Sequence, residues 1–165
     1  MNVGKNFENQ FRKSVPKDVL YYRNKDTDLS WCGGNSKFTP KSEFDCLLFD
    51  GYNLFILELK STKESRISFG DNGMIKTHQI RSLNSYSHYK NCISGFIFNF
   101  RDNSNFTCFL SVRDFDMITT DTEKKSVNIK EIAKYCIPID NKLLRIQYSY
   151  DIAGFCLKFA ENINV

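Results

Sequence analysis

An apolar strand should hold no charges, yet Phe44-Asp45-Cys46-Leu47-Leu48-Phe49 contains Asp45, and Phe55-Ile56-Leu57-Glu58-Leu59-Lys60 contains Glu58 and Lys60. The two runs flank Asp50-Gly51, a strong turn dipeptide, so they read as a β-hairpin. Register decides whether the charges meet. A two-residue loop at Asp50-Gly51 pairs Asp45 with Ile56 and leaves Glu58 one diagonal step away, whereas a four-residue loop from Asp50 to Asn53 sets Asp45 opposite Glu58. Either even loop gathers Asp45, Glu58 and Lys60 on one face, beyond Leu47, Phe49, Leu54 and Ile56, and only an odd loop or a bulge would separate them. Two carboxylates and an ammonium at the end of a half-buried face are costly unless paired with one another, hydrated or bound to a metal. Mg²⁺ or Mn²⁺ suits such hard oxygen ligands. The cation would polarise a phosphodiester and acidify a bound water, while Lys60 would stabilise the developing negative charge or orient the nucleophile. The chemistry these residue types permit is hydrolysis of a nucleic-acid backbone; a structural ion pair at the sheet end is the alternative.

The elements that must position these residues follow from pattern. Gly4 to Val15 reads as a helix, with Phe7 and Phe11 one turn apart, Glu8 flanking that stripe and Pro16 just beyond. A short strand is expected at Val19 to Tyr22, then a polar loop from Arg23 to Ser42 that holds Gly33, Gly34 and Pro40. After Lys60 a polar loop with Gly70 and Gly73 leads to a helix from Lys76 to Tyr89, where Ile80, Leu83 and Tyr86 keep helical spacing. Ile93–Phe100 and Phe106–Val112 form a second hairpin, and the period-two phenylalanines within it are core. Short helices at Asp114–Ile118 and Asn128–Tyr135, a strand at Leu144–Tyr148 and a closing helix at Ile152–Glu161 complete the reading. Central strands apolar on both faces, with helices between them, make the class α/β: a mixed central sheet flanked by helices.

Composition bounds the rest. The chain has 165 residues, 41% of them hydrophobic, enough for one domain with a proper core and no metal or disulfide staple. With 23 Lys+Arg against 19 Asp+Glu, the net charge of +4 permits a polyanionic partner without announcing one. No apolar run approaches a membrane span and residues 1–10 lack a signal-peptide stretch, so a soluble, cytoplasmic protein is expected. Six cysteines stand far apart with no CxxC pair, and the two histidines, His78 and His88, lack ligand spacing, so reduced thiols are expected rather than zinc or iron–sulfur sites.

Asp45, twelve intervening residues and then Glu58-Leu59-Lys60 resemble the PD-(D/E)xK motif of restriction-endonuclease-like nucleases. More closely, Gly4-Lys5-x-Phe7-Glu8, Asp45 with Glu58-x-Lys60, and His78-Gln79-Ile80 resemble the RecU group of Holliday junction resolvases of low-GC Gram-positive bacteria and their phages. The resemblance covers roughly residues 4 to 112. It implies a restriction-endonuclease-like core, with Asp45, Glu58 and the Leu59 carbonyl as metal ligands and Lys60 as the catalytic lysine. It further implies that Glu8 completes the acidic cluster, that Gln79 contacts the site or the cleaved strand, and that the protein is a symmetric homodimer cutting a four-way DNA junction with Mg²⁺ or Mn²⁺. Lys5, His78 and Arg81 are further candidate DNA contacts. The proline of the motif is absent before Asp45, and where the RecU group has a long stalk only Arg23 to Ser42 is present, so a stalk would be short or missing. Lys37 and Lys41, with Trp31 and Phe38, would instead form a basic, stacking-capable loop. Cleavage of linear or damaged DNA, or DNA binding without catalysis, are the other readings.

Overall fold

Phe7 and Phe11 stand one turn apart on α1 (Val3–Ser14), and both are buried, with Tyr150 set edge-on to Phe7 at 5.5 Å. They close one face of the central sheet in the computed structural model, which describes residues 3–24, 42–120 and 123–160. Six strands form that sheet, in the order β1 (Leu20–Arg23), β2 (Cys46–Phe49), β3 (Leu54–Thr62), β5 (Cys92–Phe100), β6 (Phe106–Ser111) and β8 (Ile137–Pro138). Only the β3–β5 pair is parallel, and the chain crosses between those two strands through β4 (Arg66–Ser68) and α2 (Thr77–Tyr86). Around this core lie α3 (Val112–Ile118), β7 (Ser126–Asn128), α4 (Ile129–Ile132), β9 (Asn141–Leu143), β10 (Tyr148–Tyr150) and α5 (Ile152–Ala160).

Because β3 and β5 are central, both of their faces are apolar and each face feeds a separate core. Phe55, Leu57 and Leu59 pack with α1 and α5, where Phe155 lies 5.2 Å from Phe55. Ile56, Phe96, Phe98 and Phe100 pack with Leu83 of α2 and Phe115 of α3. Glu58 and Lys60 therefore project toward the α2 side, in line with Ile56. Among the described cysteines, Cys46, Cys92, Cys108, Cys136 and Cys156 are free thiols.

The first hairpin takes the four-residue loop. Phe49 pairs with Leu54 and Cys46 with Leu57, and Asp50 Oδ1 accepts hydrogen bonds from the N–H groups of Tyr52 (2.9 Å) and Asn53 (2.7 Å). Gly51 sits at φ 97°, a conformation open to glycine. The second hairpin, β5 with β6, turns through residues 101–105 as expected.

Other expectations are corrected. The strand read at Leu144–Tyr148 is instead the turn and return arm of a β9–β10 hairpin, closed by Leu144 N–H donating to the Gln147 carbonyl at 2.8 Å. Its apolar residues mimic a strand but sit at the tip, where Ile146 is 92% exposed. The loop after Lys60 contains β4, which pairs with β7 from far along the chain, so no local pattern marks either strand. The helix expected through Tyr135 is only Ile129–Ile132. Most of the loop or stalk region lies outside the described residues.

Gly95 shows how tightly β5 and β6 approach: a Cβ there would stand 2.3 Å from the Leu110 carbonyl oxygen and 2.7 Å from the Phe109 ring. Gly95→Ala is expected to destabilise the protein by about 1–3 kcal/mol, the usual cost of overpacking. Urea unfolding measures this, and an unchanged midpoint would contradict the packing described.

Candidate active site

Asp45 stands just before β2, and its backbone is held from both sides. Its N–H donates to the Leu57 carbonyl (3.1 Å), and its carbonyl accepts from Asn24 N–H (2.9 Å), just beyond β1. Its side chain reaches across the hairpin, where Oδ2 accepts from Leu59 N–H at 2.8 Å. In a strand the N–H and C=O of one residue point to the same side, so the Leu59 carbonyl also faces the Asp45 side. No β2 residue lies opposite it, since the ladder ends at Cys46 and Leu57.

Glu58 is the buried centre, only 2% exposed. Lys60 Nζ donates to its Oε1 at 2.7 Å, and Gln79 Nε2 donates to the same oxygen. Gln79 is aimed by the start of α2, where its Oε1 accepts from Lys76 N–H at 3.0 Å, an arrangement that holds the amide nitrogen toward Glu58. The crossover from β3 to β5 thus returns a helix N-terminus over the end of β3. Glu8, on α1, is bound by Arg23 of β1 at 2.6 Å and remains within electrostatic reach of Asp45 and Lys60.

These surroundings set the charge state. Burial, then the neighbouring charge of Asp45, push the Glu58 carboxyl from its ordinary 4.5 up to about 7, against the pull of Lys60; a carboxyl–carboxyl hydrogen bond with Asp45 adds to the rise. Burial also raises Glu8, helped by Asp45 and opposed by Arg23, Lys5 and Lys60. Two carboxylates that cannot both ionise cheaply, with a backbone carbonyl beside them, are the donor set a hard divalent cation would relieve. Asp45, Glu58 and the Leu59 carbonyl would hold it. No group of three or more His, Cys, Asp or Glu suited to a metal occurs among the described residues, so Glu8 stands back from this pair, on Arg23.

Asp45, Glu58, Leu59, Lys60 and Gln79 are thus brought together, with Glu8 at the margin. His78 and Arg81 are on α2, half-buried and exposed respectively, and Lys5 is exposed on α1; none of the three joins this hydrogen-bond cluster, and Lys5 acts on it only through the pull of its charge on Glu8. Lys37 and Lys41 lie outside the described residues. Sequence reasoning missed Arg23 and Lys76. Arg23 opens a polar stretch with nothing to mark it, and Lys76 acts through its backbone, although a glutamine three residues into a helix is a capping signal.

The fold that carries this cluster is restriction-endonuclease-like. The structure is similar to that of Hjc, a Holliday junction resolvase of Archaeoglobus fulgidus, with a TM-score of 0.51 at 12% identity, over 81% of this chain and 91% of that one. No family model matches the sequence. The chain belongs to the family of the SPbeta prophage-derived uncharacterized protein YotM of Bacillus subtilis (strain 168), with which it shares 37% identity over 141 residues, covering 84% of this chain and 71% of that protein. No helix among the described residues is long and apolar enough to cross a membrane.

A folded-state value above the unfolded one means that ionised Glu58 weakens the fold: the cost is absent below about pH 4.5, grows through the interval and is complete above about 7. Glu58→Gln removes that charge at every pH. In chelator, its thermal stability relative to wild type is expected to rise between about pH 5 and about pH 8, by on the order of 2 kcal/mol. Thermal unfolding at both pH values checks this; a difference that does not change with pH contradicts it.

Proposed function

We propose that the chain is a metal-dependent DNA endonuclease working as one nuclease domain. The observation that carries this reading is Glu58 buried at the end of β3, bonded to Lys60 at 2.7 Å and facing Asp45, whose Oδ2 is held on Leu59 N–H at 2.8 Å. A bound Mg²⁺ or Mn²⁺ would supply Lewis acidity toward a phosphodiester and toward water. Asp45, Glu58 and the Leu59 carbonyl bind that cation. Lys60 brings a positive charge to the place where negative charge develops on the phosphoryl oxygens. Gln79 orients Glu58 through its amide nitrogen, and Glu8 with Arg23 borders the cluster on the α1 side.

The substrate is a four-way DNA junction, cut by a homodimer in the cytoplasm. Support comes from the RecU-like placement of Glu8, Asp45, Glu58, Lys60 and Gln79, and from the fold shared with a protein described as a Holliday junction resolvase. Lys5, Lys37, Lys41, His78 and Arg81 contribute contacts to the DNA. Action on linear or damaged DNA is the second reading, favoured by the short segment available for a stalk.

Incubation of wild type, Lys60→Ala and Asp45→Asn with a four-way junction and its linear duplex in Mg²⁺ or Mn²⁺ tests this. Wild type is expected to cut the junction in preference to the duplex, and each variant to lose about 10²–10³-fold in rate. Cleavage of neither DNA by wild type defeats the nuclease reading, and equal cleavage of both defeats the junction reading.

A further inference from the structure

The β9–β10 hairpin ends in a tip that neither the sheet nor the catalytic cluster uses. Every residue from Lys142 to Ile146 is exposed, and Leu143, Leu144 and Ile146 stand 58%, 45% and 92% open to solvent. These side chains sit on a defined turn, closed by Leu144 N–H donating to the Gln147 carbonyl at 2.8 Å, and the arms pair from Leu143–Tyr148 to Asn141–Tyr150. The base is anchored: Tyr150 is buried against Phe7, Tyr148 N–H donates to Gln10 Oε1 at 3.1 Å, and Tyr150 N–H donates to Ser14 Oγ at 3.0 Å. Single exposed apolar residues are ordinary, but a contiguous group of them at the end of a fixed hairpin marks an interaction surface.

The charges around the tip say what the partner is. Lys142 and Arg145 stand among the aliphatic residues, and neither has an ion pair among the described residues. Lys13 of α1 adds a further cation, its Nζ donating to Gln147 Oε1 at 3.3 Å. The acids of this segment, Asp140 and Asp151, are at the base of the hairpin, where Asp151 N–H donates to the Asp140 carbonyl at 2.8 Å. A second copy of the chain is a poor occupant, because a two-fold contact between tips sets Lys142 and Arg145 against their own copies. A polyanion with apolar faces suits the tip: the cations take phosphates and the aliphatic side chains pack on bases. In an intact duplex the bases are stacked and closed to such contact, whereas at a branch point the end pairs of the arms offer an open face.

The tip shares one end of the molecule with the catalytic cluster. Ile146 lines a cavity of about 220 Å³ together with Asn6 of α1 and Ser61 of β3, and Ser61 adjoins Lys60. Ser61 faces the α1 side of the sheet and Lys60 the α2 side, so the surface that joins tip and cluster is α1 itself. Glu8, on one flank of α1, is within electrostatic reach of Asp45 and Lys60, while Asn6 and Gln10, on the other flank, meet the hairpin. Between those flanks the outer face of the helix exposes Lys5 and Arg12 on the Glu8 side and Lys13 on the Gln10 side. Glu8, bound by Arg23, is the only acid of α1, so a basic surface runs from the margin of the cluster to the tip. We propose that the β9–β10 tip is a DNA wedge, with Leu144 and Ile146 packing on bases exposed at the branch point of a four-way junction and Lys142 and Arg145 holding the adjoining phosphates. This rests on the reading of the chain as a junction nuclease and deepens it by naming the element that tells branched from linear DNA.

The test measures binding in chelator, where no cleavage occurs, using the full chain with a four-way junction and with a linear duplex of one arm. Ile146→Gln is expected to weaken junction binding about three- to tenfold while duplex affinity stays within about twofold and the slope of log affinity against log salt is unchanged. Lys142→Gln combined with Arg145→Gln is expected to lower that slope for the junction by about two. These positions are exposed, so each variant is expected to keep the wild-type unfolding temperature. At saturation, 2-aminopurine at the branch point is expected to change in fluorescence with wild type and not with Ile146→Gln. Junction affinity unchanged in Ile146→Gln, or lost equally on junction and duplex, would overturn the proposal. A wild-type dimer that sediments as a monomer in Ile146→Gln would overturn it in favour of a contact between copies. Wild type that binds the junction through Ile146 but cuts no DNA upholds the wedge and refutes the nuclease reading. Wild type that cuts DNA with Ile146 indifferent refutes only the wedge, and wild type that binds neither DNA refutes both.

Discussion

A carboxylate with 2% exposure at the end of an apolar strand is the constraint around which the other parts are arranged. Glu58 cannot keep its charge there on hydration, so its neighbours supply the compensation: the Lys60 ammonium, the Gln79 amide and, on the far side of the hairpin, a second carboxylate that works against it. Lys60 and Gln79 stabilise the ionised form, while Asp45 favours the protonated one. A buried ion pair designed for stability would have no second acid. On the proposed reading, Asp45 is what makes this pair a place where a divalent cation would relieve the charge.

The architecture serves this arrangement through three joints. The Asp50 side chain, accepting from two backbone N–H groups, fixes the hairpin loop at four residues and so sets Asp45 against the end of β3. The parallel β3–β5 pairing requires a crossover, and that crossover carries α2, whose first turn delivers Gln79. The aromatic packing of Phe7 and Phe11 seats α1 on the sheet, leaving Glu8 on one flank and Asn6 with Gln10 on the other. Two cores clamp β3 from both faces, so the charged end of that strand is held by structure that does not itself depend on the charges.

The hairpin was legible because its signals are local: two apolar runs, an Asp-Gly turn between them and charges where apolar residues belong. Its register was not: an odd loop or a bulge would have split the charges, and the four-residue loop rests on hydrogen bonds of one aspartate. The closeness of Gln79 to Glu58 was accessible only through resemblance, since it depends on how a helix docks across the sheet. The β4–β7 pair and the Arg23–Glu8 bond could not be read, because each joins short segments with no periodic pattern. Leu144 and Ile146 misled in the opposite sense: apolar residues at a hairpin tip look like a strand when their exposure is unknown.

The central claim is that Asp45 and Glu58 form one divalent-cation site. Titration of the metal-free protein with Mn²⁺, followed by the loss of the free-ion electron paramagnetic resonance signal, tests it most directly, with wild type beside Asp45→Asn and Glu58→Gln. One bound Mn²⁺ per chain in wild type, strongly weakened in each variant while both remain folded, is the predicted result. No binding by wild type, or equal binding by all three proteins, would contradict the account.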